Sequence, residues 1–265
     1  MRKISVAMIQ NSAGQCAEAN LRRLESLAAK VRADLLALPE VFALRGADED
    51  YRRIAQPCAG QLGRWAAALA RRKGAWVLAG SIIERSGKRF YNTSLLFDRR
   101  GVLRATYRKI HLFEARLEDG RWIRERDLYA AGRRPCFVKA AGWPAGLAIC
   151  YDLRFPELFR LYSRQGALLF FLPSNFTQRT GKDHWETLVR ARAIENQCFV
   201  IAPNQCGANP ATGVVSYGHS LVAGPWGEIL AAAGDDETVI TAALDPELLR
   251  LSRTRVPAWR HRTMG

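Results

Sequence analysis

Short apolar runs of strand length, alternating with segments of helical periodicity, place this 265-residue chain in the α/β class. Several of these runs stop at proline or glycine and leave a polar or reactive side chain at the strand's carboxyl end, where open α/β sheets carry their sites. No change of composition divides the chain, and its length suffices for one large core, so residues 1–265 read as a single domain.

Residues 3–10 alternate Ile4, Val6 and Met8 in strand fashion, and Leu21, Leu24, Ala28 and Val31 then recur at helical spacing, so a βα unit opens the fold. Leu35-Leu36-Ala37-Leu38 is a buried strand halted by Pro39, which sets Glu40 at its carboxyl end. Leu62, Trp65, Ala66 and Leu69 define a helix that Lys73-Gly74 closes. Residues 76–84, 90–97 and 102–107 form an antiparallel meander with turns at Ser86-Gly87 and Asp98-Arg99-Arg100-Gly101. It runs out into Tyr107-Arg108-Lys109. Residues 114–134 then make a long, charged connection of weak periodicity, a kind that is commonly functional.

Residues 145–150, bounded by Gly142 and Pro144, read as a buried strand ending at Cys150, and Phe155-Pro156-Glu157-Leu158 opens an amphipathic helix. The thiol is therefore expected at a strand-to-helix turn, partly exposed and near free backbone N–H groups, conditions that lower a thiol pKa and stabilise an oxyanion. A strand over 167–172 follows, closed by Pro173-Ser174-Asn175. The helix over 182–197 carries His184, Trp185, Leu188 and Ala191 on one side, with Arg190, Arg192 and Glu195 placed for ion pairs. A strand over 198–202, a hairpin of 217–223 and 228–232 around Gly224-Pro225-Trp226-Gly227, a strand over 238–244 and a helix over 246–253 complete the order. From Thr254 the chain is basic and lacks apolar periodicity, so it is expected to be disordered or packed on a partner subunit.

The composition, 48% hydrophobic and 25% charged, is that of a soluble protein, and no apolar run approaches the roughly 18–20 residues of a membrane span. Met1-Arg2-Lys3 leads into an alternating strand rather than a signal peptide, so a cytoplasmic location and no membrane partner are expected. The six cysteines lack C-x-x-C spacing, which points to reduced thiols and no zinc site. A net charge of +15 raises the question of nucleic acid, but the arginines are scattered in pairs such as Arg22-Arg23, Arg52-Arg53 and Arg71-Arg72 without a binding motif. A solvated basic surface that favours anionic small molecules is the expectation, with no nucleic-acid partner.

Glu40, Lys109 and Cys150 are the candidate reactive residues, each at a predicted strand end. Taken singly, each has a plainer reading: an exposed loop carboxylate, a lysine snorkelling along the surface, a core thiol. Together with their neighbours they are more specific. Leu38-Pro39-Glu40, Tyr107-Arg108-Lys109-Ile110-His111-Leu112-Phe113 and Gly146-Leu147-Ala148-Ile149-Cys150-Tyr151-Asp152-Leu153-Arg154-Phe155-Pro156-Glu157-Leu158 closely resemble the three signatures of the nitrilase superfamily of carbon-nitrogen hydrolases. The resemblance covers nearly the whole chain in order, through Gly218-His219-Ser220 and Pro225-Trp226-Gly227.

The resemblance implies a four-layer αββα sandwich that pairs through its helices into a homodimer or higher even oligomer, and a Glu40-Lys109-Cys150 catalytic triad. It also implies a second glutamate near the lysine, and Arg124-Glu125-Arg126-Asp127-Leu128-Tyr129-Ala130-Ala131-Gly132 aligns so that Glu125 takes that place. In this reading Cys150 attacks an amide, Glu40 moves the protons, and Lys109 with the backbone N–H of Tyr151 stabilises the oxyanion. A thioester forms, ammonia and then the acid leave, and no metal or organic cofactor is needed. Cys150-Tyr151-Asp152-Leu153-Arg154 resembles the amidase branch, which acts on ω-amides of keto acids and related peptides, rather than true nitrilases with a tryptophan after the cysteine. Such substrates are small and anionic, which makes Arg154, Arg116 and Arg179 candidates for bidentate carboxylate contacts. After Phe113 the chain has Glu114-Ala115-Arg116-Leu117-Glu118-Asp119 where many relatives place an aspartate and an acidic or Pro-Gly loop, so the substrate stays open. A carbamoylase acting on N-carbamoyl amino acids and a catalytically silent basic interaction protein are the competing readings.

Overall fold

Two six-stranded sheets stacked face to face, each covered by helices on its outer side, form the architecture of the computed structural model, which describes residues 1–116, 120 and 122–263. In chain order the elements are β1 (Ile4–Gln10), α1 (Ala17–Ala29), β2 (Leu35–Ala37), α2 (Asp48–Ile54), α3 (Gln61–Lys73), β3 (Trp76–Ser86), β4 (Arg89–Phe97) and β5 (Leu103–Arg108). A small hairpin, β6 (Glu114–Arg116) and β7 (Trp122–Arg124), precedes β8 (Cys136–Ala140), β9 (Trp143–Leu147), α4 (Pro156–Arg164), β10 (Leu169–Phe171) and α5 (Gln178–Asn196). Then come β11 (Phe199–Ala202), β12 (Cys206–Ala208), β13 (Val215–Tyr217), β14 (Leu221–Ala223), β15 (Ile229–Ala232), β16 (Thr238–Leu244) and α6 (Pro246–Arg255). The first sheet has the order β16-β1-β2-β3-β4-β5 and the second β15-β14-β11-β10-β9-β8. In each, a parallel centre, β1-β2-β3 or β9-β10-β11, is flanked by antiparallel strands.

The four layers follow from the period-two alternation of the strands. Ile4, Val6 and Met8 of β1 and Leu35 and Ala37 of β2 share one buried cluster with Ala145, Leu147 and Leu169 of the facing sheet. The intervening Ala7, Ile9, Leu36 and Leu38 point the other way, onto Leu21, Leu24 and Ala28 of α1 and Leu62, Ala66 and Leu69 of α3. On the far side Phe170 of β10 meets Phe159 of α4 edge-on, with ring centroids 5.2 Å apart. The αββα sandwich implied by the motifs is the fold observed. No helix among the described residues is long and apolar enough to cross a membrane.

Differences from the sequence reading are local. Helix α2 and the edge strand β8 were not anticipated: α2 has seven residues, too few for an apolar period, and is marked instead by Asp48, Glu49 and Asp50 at its positive end. The irregular connection predicted over 114–134 contains the β6-β7 hairpin and a 3-10 turn over Glu125–Asp127, and its residues 117–119 and 121 lie outside the described residues. The C-terminal segment packs on its own chain, since Gln197 Nε2 donates to Val256 O at 2.7 Å and Arg262 Nη2 to Ser163 Oγ at 2.9 Å.

One glycine controls how the first sheet presents its carboxyl edge. Gly80 sits where β3 shifts register between Ala79 and Ile82, and a Cβ there would lie 2.1 Å from the carbonyl oxygens of both Leu38 and Pro39. The backbone leading to Glu40 therefore passes directly over it. Gly80→Ala is expected to cost about 1–3 kcal/mol in denaturant unfolding and to lower turnover further by displacing Glu40.

Candidate active site

The carboxyl ends of β2, β5, β9 and β10 converge on a cavity of about 500 Å³ that Glu40, Lys109, Glu125, Cys150, Asn175 and Arg154 all help to line. Pro39 ends the β2 run, and the Glu40 backbone carbonyl is held by Gln205 Nε2 at 2.9 Å. Its carboxylate Oε1 accepts from Asn92 Nδ2 at 2.7 Å and from Lys109 Nζ at 2.9 Å. Lys109 is fastened on both sides of its peptide, its N–H to Asn92 O and its carbonyl to Gly132 N–H, each at 2.8 Å. Its ammonium also donates to Glu125 Oε1 at 2.9 Å. Glu125 in turn is fixed by the Phe113 N–H on Oε2 at 2.7 Å and by its own N–H on Phe113 O. Lys109 is 1% exposed and Glu40 3%, so neither the surface-lysine nor the loop-carboxylate reading describes them.

Burial opposes the Lys109 charge, but Glu125 and Glu40 outweigh it and hold the ammonium pKa well above the usual lysine value. For Glu125 burial dominates, and with the Glu40 charge it raises that carboxyl despite Lys109. The lysine has three N–H groups, and two are taken by these carboxylates. Among the described residues the third has no hydrogen-bond acceptor, and Lys109 lines the cavity.

Cys150 departs from expectation in two respects. The pairing of β9 ends at Leu147, and Cys150 opens a 3-10 turn, Cys150–Arg154, with a left-handed φ of 48°. The thiol is only 6% exposed, so its pKa is not lowered: burial first, then the Glu40 charge, push it well above the ordinary thiol value, against Lys109 and an Asn175 backbone N–H bonded to the sulfur. The resting group is the neutral thiol. Alkylation by iodoacetamide is accordingly expected to accelerate steadily between about pH 6 and 9 without the plateau that a low-pKa cysteine shows, measured as second-order inactivation rates.

The turn is shaped by Asp152, a fully buried carboxylate that sequence reasoning noted only as a motif letter. It accepts from Ile149 N–H at 2.8 Å, Tyr107 Oη at 2.7 Å and His111 N–H at 3.0 Å, and its Oδ1 lies 2.7 Å from His111 Nδ1. It thus ties the Lys109 segment to the cysteine turn. Its spacing, three residues after the last strand-like position, is that of an acidic cap and was the available signal. Asn92 and Asn175 were also missed, because an asparagine facing a distant strand end leaves no periodic trace.

Of the three arginines proposed for carboxylates, Arg154 lines the cavity, stacked 5.5 Å from the Phe176 ring centre and with no acidic partner among the described residues. Arg116 is exposed on the hairpin, and neither it nor Arg179 is among the lining residues. Arg124, not anticipated, does line the cavity, but it is paired with Glu114 at 3.2 Å and lies over Trp122. Among the described residues no three His, Cys, Asp or Glu side chains gather in a way that could hold a metal ion.

A thiol, an ammonium and two carboxylates thus meet at the carboxyl edges of a helix-covered double sheet, an arrangement of the carbon-nitrogen hydrolase class. The carbon-nitrogen hydrolase profile matches residues 5–254, and the chain belongs to that family. It is 37% identical over 271 positions to a deaminated glutathione amidase of Synechocystis sp., with 99% of each chain covered. It is 34% identical over 265 positions to omega-amidase NIT2 of Xenopus tropicalis, covering 99% of this chain and 96% of that one. The crystal structure of Saccharomyces cerevisiae Nit3, a member of branch 10 of the nitrilase superfamily, superposes with a TM-score of 0.86 at 31% identity over 97% of this chain and 95% of that one.

Proposed function

We propose that this protein is a cysteine-dependent amidase that hydrolyses a terminal carboxamide of a small anionic substrate to the acid and ammonia. The observation that carries the reading is the Glu40-Lys109-Glu125 ion cluster at 2.9 Å spacing in the cavity that also holds Cys150. Proton transfer from the thiol to Glu40 leaves the total charge of this buried cluster unchanged, which lets a high-pKa thiol ionise as it attacks. The sulfur bonds to the amide carbon, and the oxyanion takes the free N–H of Lys109 and the Tyr151 backbone N–H, donors worth about 3–4 kcal/mol each. Glu40 then protonates the leaving nitrogen, ammonia departs and a thioester remains. Water attacks it, giving its proton to Glu40, and the acid leaves as the thiol is restored. Glu125 holds Lys109 in place throughout.

The similarity to deaminated glutathione amidase favours that peptide amide as the substrate, and the similarity to omega-amidase NIT2 makes 2-oxoglutaramate the second candidate. We place the protein in the cytoplasm as a homodimer or higher even oligomer; size-exclusion chromatography with light scattering tests the latter. Ammonia release is measured with deaminated glutathione, 2-oxoglutaramate, an N-carbamoyl amino acid and a simple nitrile. Highest kcat/KM on deaminated glutathione is the expected outcome; release of CO2 with ammonia from the carbamoyl compound alone would replace this reading with a carbamoylase. Arg154→Leu is expected to raise KM for the anionic amides about ten- to hundredfold with kcat little changed, the loss of one charge-assisted contact.

A further inference from the structure

Arg45 is a guanidinium with 0% exposure and no carboxylate partner among the described residues. Its five N–H groups are all spent on neutral oxygens. Nε donates to Ala13 O at 3.0 Å, Nη1 to Gly207 O at 3.0 Å and Ser216 Oγ at 2.6 Å, and Nη2 to Ser12 Oγ at 2.9 Å and Cys206 O at 2.8 Å. Most of these tie down the β12-β13 hairpin. The contact to Ser216 differs, because Ser216 Oγ stands 2.6 Å from Asn175 Oδ1, and Asn175 lines the cavity beside Cys150.

Arg45 offers only donors, so Ser216 accepts from it, and the hydroxyl proton is left for the Asn175 side chain. That proton needs an acceptor, and the Asn175 amide meets it with its carbonyl oxygen. Its oxygen faces Ser216. Its Nδ2 is on the opposite side of the fork and has no hydrogen-bond partner among the described residues. The backbone holds the arrangement in register, with Thr177 bridged to Ser216 and Tyr217 N–H on Phe176 O at 2.8 Å. Asn175 and Cys150 line the same cavity, and the Asn175 backbone N–H is one of the groups that act on the Cys150 thiol.

We propose that Asn175 is a specificity residue whose side-chain N–H, aimed by the Arg45-Ser216 pair, binds an oxygen acceptor on the acyl chain of the substrate. This rests on the amidase reading above. Arg45 stands behind the cavity wall and is a positioning residue; Ser216 is on that wall beside Asn175, and its hydroxyl is committed to Arg45 and Asn175. The site thereby selects amides whose acyl chain carries a carbonyl or carboxylate over plain aliphatic amides, because a plain chain covers this donor without offering it an acceptor.

The test compares glutaramate, which carries a terminal carboxylate, with pentanamide, which does not. In Asn175→Leu, near in volume but without donors, the ratio of kcat/KM for glutaramate over pentanamide is expected to fall about tenfold or more, chiefly through KM. Ser216→Ala is expected to move the ratio the same way by a smaller factor, and Ser216→Thr to restore it. The iodoacetamide rate at Cys150 serves as the check that the pocket is intact. Equal losses on both amides in Asn175→Leu, or a ratio that does not move, would overturn the assignment while leaving the amidase reading in place. A wild-type protein that releases ammonia from neither amide would overturn both.

Discussion

Cys150→Ala is expected to lower ammonia release from every amide by at least about 10⁴-fold while leaving the fold intact, the largest catalytic effect of any single change in this chain. The sulfur is the nucleophile in the mechanism above, and without it no thioester forms. Folding is little affected because the thiol is a small group in a turn whose geometry is set by Asp152 and by the Cys150 N–H on Pro173 O at 3.0 Å. Mass spectrometry of quenched turnover should show an acyl adduct on the wild-type chain and none on the variant. Glu40→Gln gives the complementary result: the amide can still accept from Asn92 and Lys109, but it takes no proton from the thiol. Turnover retained in Cys150→Ala would mean that the cavity works by another nucleophile.

Lys109→Met is expected to be the most damaging change to stability as well as to rate. It leaves two carboxylates, Glu40 and Glu125, facing one another without the shared cation, and removing one member of a buried ion pair costs about 3–5 kcal/mol. The loss should be read as a drop in the denaturant midpoint, together with a rate loss of about 10²–10³ from the missing oxyanion donor. The pH dependence has a definite sign. Glu125 already has a raised folded-state pKa through burial, so its contribution to stability is full below its unfolded pKa and is lost as pH rises through the folded one. Removing Lys109 strengthens that trend, and the variant should be closer to wild type at mildly acidic pH than at neutral pH. Adding Glu125→Gln to Lys109→Met should recover part of the stability and none of the rate. Recovery of rate would contradict the role given to the ammonium.

The lysine and its two glutamates also show where the linear chain ceases to inform. The strands that present Glu40 and Lys109 end at local signals, Pro39 after the Leu35 run and the outflow of the β4-β5 meander, and local signals survive in sequence; Glu125, in a 3-10 turn, was legible only through the resemblance. The motif letters around them carried the family and the αββα layering. Alternation of Ile4, Val6 and Met8 against Ala7 and Ile9 likewise expressed which face meets a sheet and which meets helices, since strand geometry converts parity into direction.

Burial and charge balance were not available that way. Cys150 was expected partly exposed with a lowered pKa because a strand-to-helix turn usually is open; the first sheet and its Glu40 carboxylate, brought in from distant parts of the chain, make it buried and neutral instead. The same holds for the arginines. Arg154, Arg116 and Arg179 are equivalent as letters, yet only Arg154 lines the cavity, because a side chain's surroundings depend on packing between elements rather than on its neighbours in sequence. Asp152, Asn92 and the Arg45-Ser216-Asn175 chain act across separations of tens to more than a hundred residues. Residue type and period thus specified the strands, their ends and the kinds of group placed there, whereas solvent exclusion and the pairing of charges, which are properties of the assembled sheets, decided what those groups can do.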